Sequence, residues 1–182
     1  MLNKMVFGAL TMMALSVASF GEAAGRVQTG PEQGFEVYLT GYSWFDNTPR
    51  GSAAIARPVL HNQAGGSGTY QDPITLAVGH VKGIRHRMDY PAGTRFYFPN
   101  IRKYAIVEDL CGDGNRPQDG PCHSGKNGRP WLDIYVDGSR AGERASDACM
   151  YRITGMQTAI MHPKNSYPVA VGPLTEAGCQ TF

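Results

Sequence analysis

The chain has 182 residues, with 17 Lys and Arg against 15 Asp and Glu, and a formal net charge of +2 at pH 7. That length suits one domain. So small a charge, without any basic run, gives no support to a nucleic-acid partner.

Residues 1–24 are typical of a secretory signal peptide. Lys4 precedes an uncharged apolar run, Met5–Phe20, and small residues follow at Gly21–Ala24. This order matches export signals, and the run is short for a membrane span. A retained anchor is the alternative. We expect cleavage at the end of the small residues, a secreted or periplasmic mature protein, and no membrane span after cleavage.

The rest of the chain predicts an all-β domain over residues 35–182, after a flexible lead-in at residues 25–34. The 23 Gly and 12 Pro residues punctuate the chain at short intervals, which favours short strands and many turns. One short helix is predicted within residues 140–150. The predicted strands are Phe35–Tyr42, Ile74–Val78, Thr94–Pro99, Lys103–Leu110, Trp131–Val136, Tyr151–Thr154 and Tyr167–Val171.

Two of these strands alternate between an aliphatic face and an aromatic or polar face. The aliphatic faces can fill a core. The opposite faces either line a groove with a carboxylate, a hydroxyl and several rings, or they are solvated. The aliphatic sets are Phe35, Val37 and Leu39, and Leu132, Ile134 and Val136; the opposite sets are Tyr38, Thr40 and Tyr42, and Trp131, Asp133 and Tyr135.

The four cysteines predict two disulfides, because an exported chain with an even count forms a disulfide framework. Three pairings are possible, and Cys111–Cys122 with Cys149–Cys179 is the simplest. A zinc site at Cys111, Cys122 and His123 is a rival, but the spacing fits no zinc signature. We expect neither metal nor cofactor.

A family resemblance lies in two stretches, PAGTRFYFPNIRKYAIVEDLCGDG at residues 91–114 and WLDIYVDG at 131–138. Together they resemble the core of the RlpA-like and three-aspartate ("3D") double-psi β-barrels of the lytic transglycosylase group. Expansins and family-45 endoglucanases are more distantly similar. The shared features are a Pro-x-Gly-Thr turn, a strand ending in Glu/Asp-Asp, a later strand carrying Asp, and an upstream Thr-x-Tyr, here Thr40–Tyr42.

The resemblance implies a six-stranded double-psi barrel with a glycan groove across one side. It implies that Asp133 matches the catalytic acid, that Asp109 is the strand-end aspartate beside it, and that Thr40 and Tyr42 are groove residues. The chain departs from the 3D pattern at residues 77–79, where Ala-Val-Gly replaces Ala-Val-Asp.

The chemistry of glycoside cleavage agrees with an acid at Asp133. The leaving oxygen needs a proton, and a carboxylic acid with a raised pKa supplies it. The flanking rings of Trp131 and Tyr135 would desolvate Asp133, and Asp109 would add like-charge repulsion. A hydrolase also needs a base or nucleophile, for which Asp109 and Asp46 are candidates.

Most of the other polar and aromatic residues can be interpreted in two ways. Asp46 either takes part in catalysis or caps a turn, and Asp72 is predicted to be a turn residue. Trp44 and Trp131 either stack on sugar rings or belong to the core. His61 either borders the groove or lies on the surface.

Glu108 falls on the opposite strand face from Asp109, and we expect it to be solvated or salt-bridged.

These observations predict a secreted protein, expected to be monomeric, that cleaves a cell-wall polysaccharide, peptidoglycan above all. A lytic transglycosylase needs only one acid, whereas a hydrolase needs two groups. The alternatives are a non-catalytic, expansin-like module that binds or loosens wall polysaccharide, and a secreted interaction protein on a disused barrel.

Overall fold

The computed structural model describes residues 30–83 and 86–182, so the predicted signal peptide lies outside the described residues. The strands are β1 Gln33–Tyr42, β2 Ile74–Val78, β3 His80–Val81, β4 Arg87–Met88, β5 Arg95–Phe98, β6 Lys103–Leu110, β7 Trp131–Tyr135 and β8 Gly155–Met161. The helices are a 3-10 turn at Pro117–Asp119, α1 Pro121–Ser124 and α2 Glu143–Ile153.

Six strands close into a barrel in the order β1-β7-β2-β6-β5-β8, and β3 and β4 form a separate two-stranded sheet. The β1–β7 and β2–β6 pairs are parallel, and the β1–β8, β2–β7, β5–β6 and β5–β8 pairs are antiparallel. The predicted all-β, six-stranded barrel is therefore confirmed. The double-psi connection stays a prediction. Within the described part of the chain, no helix has both the length and the apolar character to cross a bilayer.

The aliphatic part of the core forms where the alternation predicts it, and Tyr42 and Tyr135 from the opposite faces join the core as well. Val37 and Leu39 of β1, and Leu132, Ile134 and Val136 along β7, have no exposed surface. Removing such aliphatic side chains from water is the main favourable contribution to folding. Their neighbours in sequence point to the other side, which is the side that carries Thr40 and Asp133.

Two predicted strands are wrong. Tyr151–Thr154 is the end of α2 and its cap, because Cys149 and Ile153, one helical turn apart, are both buried against the barrel while Tyr151 is exposed. Tyr167–Val171 is irregular. Its Pro168 has no N–H for a strand ladder, and its carbonyl oxygen instead accepts a hydrogen bond from Tyr97 at 2.6 Å.

One barrel strand is absent from the sequence prediction. β8 pairs antiparallel with β1 and with β5, and so it closes the ring. The first pairs join Gln33 to Met161 and Gly34 to Ile160. The described end of the lead-in is therefore ordered barrel strand rather than flexible chain.

Helix α2 packs on β1 at a glycine. A side chain at Gly41 would come within 2.8 Å of Val136 and within about 3.2 Å of Met150 and Ile153. Only a residue without Cβ lets the helix approach this closely. The contact fixes α2 beside the end of β1, next to Tyr42.

Both disulfides form with the simplest predicted pairing. Cys111 is bonded to Cys122 across the loop after β6, and Cys149 of α2 is bonded to Cys179 near the C-terminus. No free cysteine is present among the described residues. The first bridge shapes the surface beside the end of β6, and the second ties the C-terminal segment to α2.

Thiol titration of the denatured, unreduced protein is expected to find essentially no free thiol. Removing the Cys149–Cys179 pair should destabilise the fold more than removing Cys111–Cys122, because its cysteines are 30 rather than 11 residues apart and a longer loop constrains the unfolded chain more. A disulfide that closes a loop of this kind stabilises the folded protein by about 2–4 kcal/mol. Melting temperatures of the two double-serine variants test the order, and two or more free thiols per chain would contradict the pairing.

Candidate active site

Asp133 and Asp109 lie on either side of one small residue, Ala77. In the barrel, β2 lies between β7 and β6. Ala77 is aligned with Asp133 on one neighbour and with Asp109 on the other. Two strand spacings separate the two aspartates, or about 10 Å between their Cα atoms. The methyl group of Ala77 leaves open space between them.

That space is the floor of a surface cavity of about 370 Å³. Four aspartates line the cavity, and none of its lining residues is Lys, Arg or His. The cavity therefore carries negative charge, and it favours neutral or cationic groups of a ligand over anionic ones. The lining residues are Tyr42, Asp46, Asn47, Thr48, Ala54, Ile55, Ala56, Ala77, Asp109, Leu110, Cys111, Gly112, Asp113 and Asp133.

Asp133 is held from behind by Thr40 and is open to the cavity. The Thr40 hydroxyl donates to Asp133 Oδ1 at 2.6 Å. Burial raises the pKa of Asp133 to about 7 against the opposing effect of this hydrogen bond, and the charges of Asp46 and Asp109 add to the rise. A carboxyl group with this pKa holds a proton on about half of the molecules at neutral pH.

Asp109 is more enclosed, with 7% of its surface exposed. Its Oδ1 accepts the backbone N–H groups of Ala56 at 3.0 Å and Leu110 at 2.9 Å, and its Oδ2 accepts the Tyr42 hydroxyl at 2.9 Å. Burial raises the pKa of Asp109, while these hydrogen bonds oppose the rise. The net effect is a raised pKa, and three donors already hold the two oxygens of the Asp109 carboxyl group.

Asp46 caps a turn, as one of its two predicted interpretations requires, and it also lies at the cavity. Its Oδ1 accepts the backbone N–H of Ser43 at 2.5 Å and the Ser43 hydroxyl at 2.7 Å, which is a turn-capping arrangement. The same side chain lines the cavity, and its charge contributes to the raised pKa of Asp133. Asp46 is thus a turn residue that also makes the cavity acidic.

The aromatic residues predicted to touch a ligand differ in position. Tyr42 lines the cavity, although only 8% of it is exposed. Tyr135 is 2% exposed and packs edge-to-face on Tyr42 at 5.2 Å, so burial leaves it no surface for a sugar ring. Trp44 packs against the core and is not part of the cavity lining.

Trp131 lies at a second cavity, of about 360 Å³. Asp89, Tyr90, His123 and Arg129 line it as well, so this cavity includes both a carboxylate and a guanidinium. The Cys111–Cys122 bridge has its first cysteine in the acidic cavity and its second in this one. The two cavities are thus neighbours on either side of one disulfide.

A buried carboxylate anchors the loop that forms part of the wall of the acidic cavity. Glu108 has no exposed surface, and its Oε1 accepts the backbone N–H groups of Val59, Leu60 and His61 at 2.5–3.2 Å. Of the two expected environments of Glu108, the salt bridge is the one present, with His61 as its partner, and the side chain is not solvated. The loop that it anchors carries Ala54, Ile55 and Ala56 to the cavity wall.

His61 lies between two carboxylates rather than on the open surface. Its Nδ1 is 2.7 Å from Glu108 and its Nε2 is 2.9 Å from Asp72. Burial alone would lower the pKa of His61, but the hydrogen bonds and charges of both partners raise it. Asp72 accepts Ser67 N–H at 2.9 Å, as expected of a turn residue. None of these three groups lines the acidic cavity.

The departure at Gly79 has a steric cause. A Cβ at this position would overlap the carbonyl oxygen of Cys122 and the carboxylate of Asp89. The missing aspartate of the 3D pattern therefore has no room beside the disulfide-bonded loop. Among residues 30–83 and 86–182, no group of three or more His, Cys, Asp or Glu is placed to hold a metal ion.

Several cavity residues lie outside the sequence prediction because they come from irregular loops. Asn47, Thr48, Ala54–Ala56 and Asp113 line the wall, yet no periodic pattern marks them. The available signal for Asp113 was its position in CGDG, directly after the strand that carries Asp109.

The fold and the site define a disulfide-bonded, closed β-barrel protein with an acidic surface cavity. The model of the DDB_G0273701 N-terminal domain family matches residues 35–180. The chain belongs to this family, because the match covers most of its length.

A relative from Dictyostelium discoideum, described as "Uncharacterized protein DDB_G0273701/DDB_G0273221", is 33% identical over 132 residues. The aligned region is 72% of this chain and 52% of the relative, so the chain spans about half of that protein's length. No solved structure gives a significant match. Neither description states an activity, and the function is therefore argued from the site.

Proposed function

We propose that the protein cleaves glycosidic bonds of a cell-wall glycan outside the cytoplasm, with Asp133 as general acid and then as base. The observation that carries the proposal is an aspartate open to a cavity with a pKa raised to about 7. General acid catalysis is most efficient when the pKa of the donor lies near the working pH. Two disulfides agree with an oxidising compartment.

The hydrogen bonding of Asp109 favours a route that uses one acid. An inverting hydrolase needs a second carboxylate that is free to deprotonate water, whereas Asp109 already accepts three hydrogen bonds. A lytic transglycosylase avoids this requirement. Its nucleophile is the 6-hydroxyl of the muramoyl sugar that is being cleaved.

In this route, Asp133 transfers its proton to the glycosidic oxygen as the bond between that oxygen and C1 breaks. The 6-hydroxyl oxygen then bonds to C1, and its proton passes to the Asp133 carboxylate. The acid is regenerated, no water is consumed, and the products are a free hydroxyl on one fragment and a 1,6-anhydro sugar on the other. The charge of Asp109 would stabilise positive charge that develops at C1.

The charges of the two cavities support peptidoglycan as the substrate class. The acidic cavity favours an uncharged sugar at the reacting bond. Arg129 lines the neighbouring cavity, and its ion pair with Glu36 is more than half exposed. Because such a pair contributes little, this guanidinium can exchange Glu36 for a carboxylate of a peptide-bearing glycan. A neutral glucan would make no use of this guanidinium.

A non-catalytic polysaccharide-binding module is the second candidate. The observation in its favour is that Asp109 already accepts three hydrogen bonds, because a protein that only binds the glycan needs no free base. A module of this kind would still need the cavities, and Asp133 would then orient a sugar hydroxyl.

Incubation of the mature protein with purified peptidoglycan, and in parallel with cellulose, separates these functions. We expect anhydro-muropeptides from peptidoglycan and no soluble product from cellulose, as detected by mass spectrometry. Reducing-end products would instead indicate a hydrolase. Co-sedimentation with the glycan but no product would indicate the binding module, and neither product nor binding would reject both candidates.

A further inference from the structure

We propose that Trp131 is a positioning residue for Asp133, acting through the Thr40 hydroxyl, and that it leaves Asp133 Oδ2 as the oxygen that carries the transferable proton. This inference rests on the proposed function and names the residues that orient its general acid, Asp133. It replaces the predicted role of Trp131 as a surface for sugar stacking.

The argument begins with the directions of two hydrogen bonds. Trp131 Nε1 is 2.8 Å from Thr40 Oγ1, and Thr40 Oγ1 is 2.6 Å from Asp133 Oδ1. An indole N–H can only donate, and a threonine hydroxyl has one hydrogen. Because the Thr40 oxygen accepts from Trp131, its own hydrogen is free to point at Oδ1.

The alternative acceptor for that hydrogen is poorer. The backbone oxygen of Leu132 is 3.5 Å from Thr40 Oγ1, against 2.6 Å for Asp133 Oδ1. A proton on Oδ1 would force the Thr40 hydrogen towards this longer contact. The short bond therefore keeps Oδ1 as an acceptor, and a neutral Asp133 carries its proton on Oδ2.

The position of Oδ2 makes that proton useful. Asp133 lines the acidic cavity together with Cys111, whose sulfur is 3.9 Å from Oδ2. The carboxylates of Asp46 and Asp109 also act on Asp133 through their charge. Oδ2 thus belongs to the side of the carboxyl group that meets the cavity, while Oδ1 is engaged by the barrel wall.

The barrel register sets up this relay. In the parallel β1–β7 pair, Thr40 is aligned with Asp133 and Tyr38 with Trp131. Trp131 and Asp133 are two residues apart and therefore share a face of β7. The Tyr38 ring packs edge-to-face on the indole at 4.6 Å, which restrains the direction of its N–H.

The direct test is a pH titration of the Asp133 side-chain carboxyl by carbon NMR, assigned with Asp133→Asn. Thr40→Val removes a hydrogen bond to the ionised form and should raise the apparent pKa by roughly half a unit or more. Trp131→Phe keeps a ring but lets the Thr40 hydroxyl turn away, so it should raise the pKa in the same direction. The double variant should match Thr40→Val alone, because Trp131 acts only through Thr40.

Trp44→Phe is the matched control, since Trp44 is the other tryptophan of the chain and is not part of the cavity lining. It should leave the Asp133 titration unchanged. An unchanged titration in Trp131→Phe, or additive shifts in the double variant, would overturn the relay.

The wild-type protein provides a readout if Trp131→Phe does not fold. The indole N–H resonance of Trp131 should titrate with the apparent pKa of Asp133, and the resonance of Trp44 should not. A Trp131 resonance that is insensitive to this titration would overturn the inference.

Kinetics separate the inference from the proposed function. If product forms, Trp131→Phe should lower kcat and shift the pH profile upward with little change in KM, whereas loss of a stacking surface would mainly raise KM. If the protein forms no product but the coupled titrations are seen, the proposed function fails and the hold of Trp131 on Asp133 is upheld. If product forms but the titrations are not coupled, the proposed function stands and the positioning role of Trp131 is rejected.

Discussion

Replacing Asp133 by asparagine is expected to reduce glycan turnover by a factor on the order of 10² or more, the usual contribution of a placed general acid. The change removes the proton while nearly preserving the shape of the side chain. The amide oxygen can still accept the Thr40 hydroxyl, which now donates to Oδ1 at 2.6 Å. Folding and glycan binding should therefore persist.

Asp113→Asn is the matched control, because Asp113 lines the same cavity and is exposed. It should keep most of the turnover. Product formation, glycan affinity and melting temperature are measured on both variants. An Asp133→Asn protein that is destabilised but keeps wild-type turnover per folded molecule would end the catalytic assignment.

The same substitution has a pH signature in stability. The folded-state pKa of Asp133 is raised from its ordinary value to about 7. An acid of this kind contributes stability that is present below its unfolded pKa and is lost as the pH rises through its folded pKa. Asparagine has no such dependence, so the stability of the variant relative to wild type should increase between about pH 4 and pH 8.

Replacing Glu108 by alanine is expected to have the largest effect on stability, a loss of about 3–5 kcal/mol, the range for removing one partner of a buried ion pair. Glu108 is fully buried, and three backbone N–H groups and His61 would lose their acceptor. Glu108→Gln keeps one acceptor oxygen and should cost less, about 1–3 kcal/mol. Denaturant unfolding measures both values.

Glu36→Ala provides the comparison on the surface. Glu36 pairs with Arg129 at 3.0 Å, but both side chains are more than half exposed, and such pairs contribute little. Hydrogen exchange at Leu60 and His61 should accelerate in Glu108→Ala, because their amides are bonded to its carboxylate. An alanine variant as stable as Glu36→Ala would contradict the anchoring role.

The predictable strands are those with a clear apolar pattern. Ile74–Val78 and Lys103–Leu110 match β2 and β6 at both ends, and β1, β5 and β7 differ from their predictions by one or two residues. Strand β8 mixes methionine, threonine and glutamine, and two of its seven residues, Met156 and Thr158, are exposed, with Met156 43% exposed. Its pattern is too polar to separate from a loop.

The complete burial of Glu108 was not predictable from alternation, for a different reason. Seven of the eight residues of β6 are buried, since the barrel core covers one face and the loop held by Glu108 covers the other. Period-two alternation identifies a solvated face only where one face meets water. The burial of Glu108 depends on a loop whose path has no local pattern.

The sequence predicted several residues of the candidate site, but it did not predict the contacts between them. Alternation places Asp133 and Trp131 on one face of β7, and the structure agrees. The hydrogen bond of Trp131 to Thr40 depends on the register between β1 and β7, which are about ninety residues apart in the chain. No sequence pattern encodes that register.

Closure of the barrel also governs how the protein meets other molecules. Each of the six barrel strands is hydrogen-bonded on both sides, so none can accept an added strand from a neighbouring chain. Crowding with other copies therefore brings no edge-to-edge polymerisation through the barrel. The disulfide-bonded loop between β6 and β7 contributes Cys111, Gly112 and Asp113 to the cavity wall, and a change in its length would expose no new sheet edge.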